Sequence, residues 1–130
     1  GWLSGACLLL KRDAVEAAGL FDERFFLYFE DIDLCRRIKD KGFRLVYFPA
    51  VKVTHVGGAA TSARKWRSRL EYRRSQLYYY RKHNSHWSGL LLKLYLRLTL
   101  TFPGTPGSGK SEDKALYRRR LRELVWSRHN

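Results

Sequence analysis

Glu30, Asp31 and Asp33 stand together in the run Tyr28-Phe29-Glu30-Asp31-Ile32-Asp33-Leu34, directly after a segment dense in Phe and Tyr. Carboxylates in the first turn of a helix face free N–H groups and the positive end of the dipole, which favours the anion. Such an anion can take a proton from a hydroxyl, the work of a general base. The same acids can instead do no more than cap the helix. His55 ends the run Val51-Lys52-Val53-Thr54-His55, before a Gly-Gly loop. Strand ends are where α/β folds place ligand-contacting groups. An imidazole there can bind a divalent metal, or simply be structural.

The elements that would position these groups alternate between strand and helix. Ala6–Leu10 is a short apolar run, predicted as a buried strand. Asp13 and Glu16 form a D-x-x-E capping pattern that predicts a helix ending at Gly19. A second helix is predicted from Glu30 to Lys41, with Ile32, Cys35 and Ile38 as its apolar stripe. Its acids lie at the N-terminus and its bases toward the C-terminus, as the dipole prefers. Arg44–Phe48 and Val51–His55 are predicted strands. Beyond them, residues 63–83 read as a helix. Residues 90–102 fit either period, since their leucines alternate while Lys93, Arg97 and Thr101 recur every four. Leucine content favours helix. Residues 103–113 read as a Gly/Pro/Ser linker and 114–128 as a last helix, apolar at Tyr117, Leu121, Leu124 and Val125.

The 130 residues carry 26 Lys+Arg against 12 Asp+Glu, a net charge of +14. Residues 1–62 hold nine basic and eight acidic groups, and residues 63–130 hold 17 and four. The excess belongs to the second half, which implies a polyanionic partner there. Apolar content of 45% excludes wholesale disorder. Cys7 and Cys35 make no disulfide framework and read as two buried free thiols. Methionine is absent, so Gly1 is not expected to be the natural start. The longest apolar stretch, Trp87 to Phe102, is shorter than the roughly 20 residues of a spanning helix.

Four segments in order carry a resemblance. They are Trp2-Leu3-Ser4-Gly5-Ala6 through Arg12, Gly19 through Arg37, Gly42-Phe43-Arg44, and Val53-Thr54-His55. Together they resemble the C-terminal half of a family 2 glycosyltransferase of the rhamnosyltransferase-like branch. The resemblance is dense over residues 1–62 and loose over 63–86. It implies an α/β fold: the C-terminal part of a GT-A (Rossmann-like) domain, followed by basic amphipathic helices. It divides the chain into an acceptor-side part (1–62), a basic helix packed on the core (63–86) and amphipathic helices (87–130).

The resemblance also assigns roles. Asp31 would be the base that deprotonates the acceptor hydroxyl, and Glu30 its partner. Trp2, Gly5 and Ala6 would line the acceptor and sugar pocket. His55 would complete a Mg²⁺ or Mn²⁺ site on the donor diphosphate. Asp33 reads as a structural acid. The family's nucleotide-binding strands and Asp-x-Asp lie in its first half and are not in these residues, so the remaining metal ligands are expected there. The piece alone is expected not to catalyse transfer. A nucleotide-sugar donor and a glycan or lipid-linked acceptor are the implied partners.

For the second half, related enzymes suggest a peripheral helix on the cytoplasmic membrane face. Trp87, Tyr95 and Phe102 would sit at the interface, Lys93 and Arg97 would snorkel, and Arg118, Arg119, Arg120 and Arg122 would meet anionic headgroups. The competing readings are nucleic-acid binding and a non-catalytic interaction domain. No zinc-finger or RNP-type signature accompanies the basic residues, which ranks nucleic acid behind lipid.

Overall fold

α2 (Glu30–Asp40) organises the first part of the chain in the computed structural model, which describes residues 1–55, 65–101 and 111–127. Its start and its end are both set by local chemistry. Glu30, Asp31 and Asp33 occupy the first turn and Arg37 and Lys39 the last, as the dipole favours. At the C-terminus the chain leaves through a Schellman turn. The Gly42 N–H donates to the Lys39 carbonyl (2.9 Å) and the Phe43 N–H to the Ile38 carbonyl (3.2 Å). Gly42 takes φ +84°, a conformation that a Cβ would penalise. Phe43 then folds back onto the α2 core.

α1 (Arg12–Ala18) packs against α2, and Ala14, Leu34 and Ile38 form their shared core, with Ala18, Phe43 and Leu45 around it. The buried face of α2 therefore runs through Leu34, Cys35 and Ile38, with Ile32 only half-buried. The capping pattern expected at Asp13 is not used. The Val15 N–H reaches the Lys11 carbonyl (3.1 Å), so the helix starts earlier and Asp13 lies inside its first turn. Glu16 pairs with Arg12, one turn back, at 2.7 Å.

Arg37 joins the two helices. It pairs with Asp33 at 2.8 Å and donates to the carbonyls of Ala18, Gly19 (3.0 Å) and Leu20 (2.8 Å). Those carbonyls end α1 and have no helical partner of their own. Asp33 is 0% exposed, so the structural role expected of it is borne out.

The strands of the expected α/β architecture are not seen among the described residues; segments 6–10, 44–48 and 51–55 pair with nothing there. A strand exists only through a neighbour that takes its N–H and C=O groups, and no described segment supplies one. Most apolar side chains of these runs consequently face solvent, among them Leu9, Val46, Tyr47, Phe48, Val51 and Val53. Cys35 is buried as expected, but Cys7, in the first of these runs, is exposed.

The chain forms two compact units, Gly1–Ala59 and Ala60–Asn130. In the second, α3 (Lys65–His83), α4 (His86–Thr101) and α5 (Ser111–Trp126) share one core. It contains Leu70 and Leu77 of α3, Leu92, Leu96 and Leu100 of α4, and Leu121 and Val125 of α5. The four-residue spacing of Leu92, Leu96 and Leu100 resolves the ambiguous segment as helix. Ser85 caps α4: its hydroxyl accepts from the Ser88 N–H (3.4 Å). α5 begins at Ser111, so residues 111–113 of the expected linker are helical, and Glu112 and Asp113 lie in its first turn. Residues 103–110 of that stretch, and the glycine loop at 57–58, lie outside the described residues.

α4 is apolar on two sides. Opposite its buried leucines, Trp87, Leu91, Leu94, Tyr95 and Leu98 stand exposed at helical spacing. Lys93 and Arg97 border that face, and Arg97 lies over the Trp126 ring at 5.0 Å.

Candidate active site at the start of α2

The turn that delivers the two acids is built from Asp22 to Phe29. Asp22 accepts from the Arg24 backbone N–H (3.1 Å) and holds the Arg24 guanidinium through both carboxylate oxygens (3.0 Å each). The Phe25 N–H closes back on the Asp22 carbonyl at 3.0 Å, and Phe25 and Phe29 bury their rings. The next feature was not visible in the sequence. Tyr28 (φ +68°) and Phe29 (φ +69°) are consecutive bulky residues in the left-handed region. Each such residue costs of order 1–3 kcal/mol and persists only where its surroundings enforce it. Phe29 is also the N-cap of α2, and its ring is fixed in the interior. The backbone strain thus lies directly before Glu30 and Asp31.

Asp31 is held at both carboxylate oxygens. Oδ1 accepts from the Ile32 N–H at 2.8 Å, satisfying a first-turn donor of α2. Oδ2 accepts from the Gly5 N–H, also at 2.8 Å. Glu30 is half-buried, and its Oε2 is enclosed with no hydrogen-bond partner among the described residues. A buried carboxylate oxygen without a donor is costly and rare in folded proteins.

The residues expected at the site separate into two groups. Gly5 and Asp31 meet directly. Ala6 is one residue further on, its N–H on the Ser4 hydroxyl at 3.3 Å. Trp2 is exposed at the start of the same segment. His55 is exposed, and no hydrogen bond or ion pair joins it to Glu30 or Asp31 among the described residues. No group of three or more His, Cys, Asp or Glu side chains there could hold a metal ion. Asp31-Ile32-Asp33 has the spelling of a metal motif but cannot act as one, because Asp33 is enclosed in its pair with Arg37. The described residues therefore do not assemble the divalent-metal site that the resemblance implied.

Sequence reasoning missed the partners that fix this geometry. Arg37 read only as a base near a helix end. Cys35 read only as a buried thiol, yet its sulfur accepts from the Leu3 N–H (3.4 Å) and lies 3.7 Å from the Leu3 carbonyl. Its i, i+4 relation to Asp31 on one helix face was the available signal.

A carboxylate held at the mouth of a helix, with an aromatic turn before it, has the chemistry to accept a proton from a hydroxyl. The family model described as "Glycosyltransferase like family 2" matches residues 2–80. This chain belongs to that family. It is 34% identical over 129 residues to the N-acetylglucosaminyl-diphospho-decaprenol L-rhamnosyltransferase of Mycobacterium tuberculosis, covering 99% of this chain and 41% of that protein. It is 44% identical over 55 residues to the rhamnosyltransferase WbbL of Escherichia coli K12, covering 42% of this chain and 20% of that protein. It is 36% identical over 64 residues to the O-antigen biosynthesis protein RfbC of Myxococcus xanthus, covering 48% and 5%. No solved structure matches it. The chain thus spans about two fifths of the length of its mycobacterial relative.

Proposed function

We propose that this chain is the acceptor-side part of an inverting glycosyltransferase. It moves a sugar, L-rhamnose by analogy with the relatives, from a nucleotide-diphosphate donor to a hydroxyl of a lipid-linked or polysaccharide glycan. The observation that carries the reading is the Asp31 carboxylate, anchored at the start of α2 inside the family-matched segment. Asp31 takes the proton of the acceptor hydroxyl as that oxygen bonds to the anomeric carbon. The bond from that carbon to the diphosphate breaks, and its electron pair leaves with the nucleotide. Glu30, beside Asp31 with an oxygen unsatisfied among the described residues, orients the acceptor. Trp2 and Ala6 line the acceptor pocket.

A divalent ion would offset charge on the departing diphosphate. The proposal gives His55 to such a site, with its other ligands outside the described residues. The isolated 130 residues do not catalyse transfer in this reading. The test is Asp31→Asn in the whole protein: transfer falls by at least about 10²-fold while donor binding stays. Normal turnover would remove Asp31 from the role.

The second unit holds the enzyme at the cytoplasmic membrane surface in the same proposal. Support comes from the exposed α4 face of Trp87, Leu91, Leu94, Tyr95 and Leu98, and from exposed Arg119, Arg120 and Arg122 on α5. Each basic residue near an anionic surface contributes about 1 kcal/mol. Arg118 is withdrawn from that set, since it donates to the Leu100 carbonyl, and Phe102 lies outside the described residues. No helix among the described residues is long and apolar enough to cross a membrane. Co-sedimentation with anionic liposomes should exceed that with neutral ones, and also exceed binding to random DNA. A preference for DNA would reverse the ranking.

A further inference from the structure

Two contacts run along one face of α2. Leu3 meets Cys35, and Gly5 meets Asp31. The lengths match. Two residues of extended chain span about 6.6 Å, and the four residues from Asp31 to Cys35 rise about 6 Å. The segment Leu3–Gly5 therefore lies antiparallel along the first turn of α2, pinned at both ends. Gly5 is the closer pin. A Cβ built there would stand 3.4 Å from the Asp31 Cβ and 3.6 Å from Oδ2. Any larger side chain would crowd the carboxylate, whereas an alanine would just touch it.

We infer that the Gly5 N–H is a positioning donor for Asp31, and that the Cys35–Leu3 contact one turn away sets where that N–H stands. This goes beyond the pocket-lining role that the resemblance gave Gly5, and it rests on the reading of Asp31 as the base. The Ile32 N–H alone fixes one oxygen and leaves the carboxylate free to swing about its Cβ–Cγ bond. The Gly5 N–H fixes the second oxygen, so the carboxylate plane is set before an acceptor arrives. It also couples the base to the segment that carries Trp2 and Ala6. An acceptor that orders this segment therefore orders the base with it.

The test contrasts two substitutions in the whole protein. Gly5→Pro removes the donor, and Gly5→Ala keeps it. Gly5→Pro is expected to lower kcat on the order of 10²-fold, the cost of an ångström-scale misplacement, with KM for the donor unchanged. Gly5→Ala, which keeps the N–H but adds a Cβ against Asp31, is expected to lose clearly less kcat than Gly5→Pro. A folded Gly5→Pro with parental kcat, or equal losses in both variants, would overturn the inference.

The amide NMR signal of Gly5 tests the contact even if Gly5→Pro does not fold. Its proton should exchange slowly with solvent in the parent and faster in Asp31→Ala, which removes the acceptor. Equal exchange in the two sinks the inference. Full activity of Asp31→Asn sinks the base reading instead, and leaves the NMR result standing for the contact alone.

Discussion

α3, α4 and α5 bury seven aliphatic side chains among themselves, whereas the first unit buries Ala14, Leu34 and Ile38 as a cluster and leaves several apolar runs in solvent. The difference follows from how each kind of element satisfies its backbone. A helix closes its own hydrogen bonds and needs a neighbour only for one stripe. A strand needs another strand for its backbone and a covering layer for each face. The helical unit can therefore complete its core from 71 consecutive residues. The first unit offers β-prone runs whose partners are not among its own described segments. Beside that small cluster its order comes from polar anchors: Arg37 on three carbonyls, Asp33 under Arg37, and Gly5 on Asp31.

That contrast can be broken deliberately. Arg37→Ala should have the largest effect, because it removes a charged partner of the buried Asp33 and the donor to three carbonyls. Removing one partner of a buried pair costs about 3–5 kcal/mol. Hydrogen exchange resolved by residue should show α1 and α2 losing protection while α4 keeps its own. Equal loss in both units would mean that they unfold together. Leu96→Ala is the complementary cut. Leu96 is 1% exposed at the centre of the helical core, and its truncation should cost about 2–5 kcal/mol, read as a lower denaturation midpoint with α2 protection unchanged.

Smaller effects sharpen the comparison. Ser85→Ala removes the α4 cap and should cost about 1 kcal/mol, seen as faster exchange at Ser88 and Gly89. Phe48→Asp should change the stability of this chain by less than about 0.5 kcal/mol, since the ring is already in solvent. If the run 44–48 pairs in the whole protein, the same substitution should destabilise that protein measurably. Equal indifference in both would argue that the run is surface everywhere.

How much was legible in the sequence follows the same divide. α3, the buried face of α5 and the charge order of α2 could be read because helical period and dipole are local. The strands could not be confirmed from local pattern, because apolar alternation says what a segment would bury and not whether a partner exists. At the site, the acids were legible by type and position. The contacts that fix them were not. Gly5 lies 26 residues from Asp31 and Leu3 lies 32 from Cys35, and neither pair has a local signature. The left-handed pair Tyr28–Phe29 opposes every local preference of bulky residues, so only tertiary packing could have produced it.

The unlike fates of the two thiols have a practical consequence. Cys35 is enclosed against Leu3, whereas Cys7 is open to solvent two residues beyond Gly5. The unmodified chain thus carries its own selective attachment point for a maleimide dye, next to the segment that grips Asp31. A fluorophore there would report movement of that segment as an acceptor binds, with no residue of the site replaced.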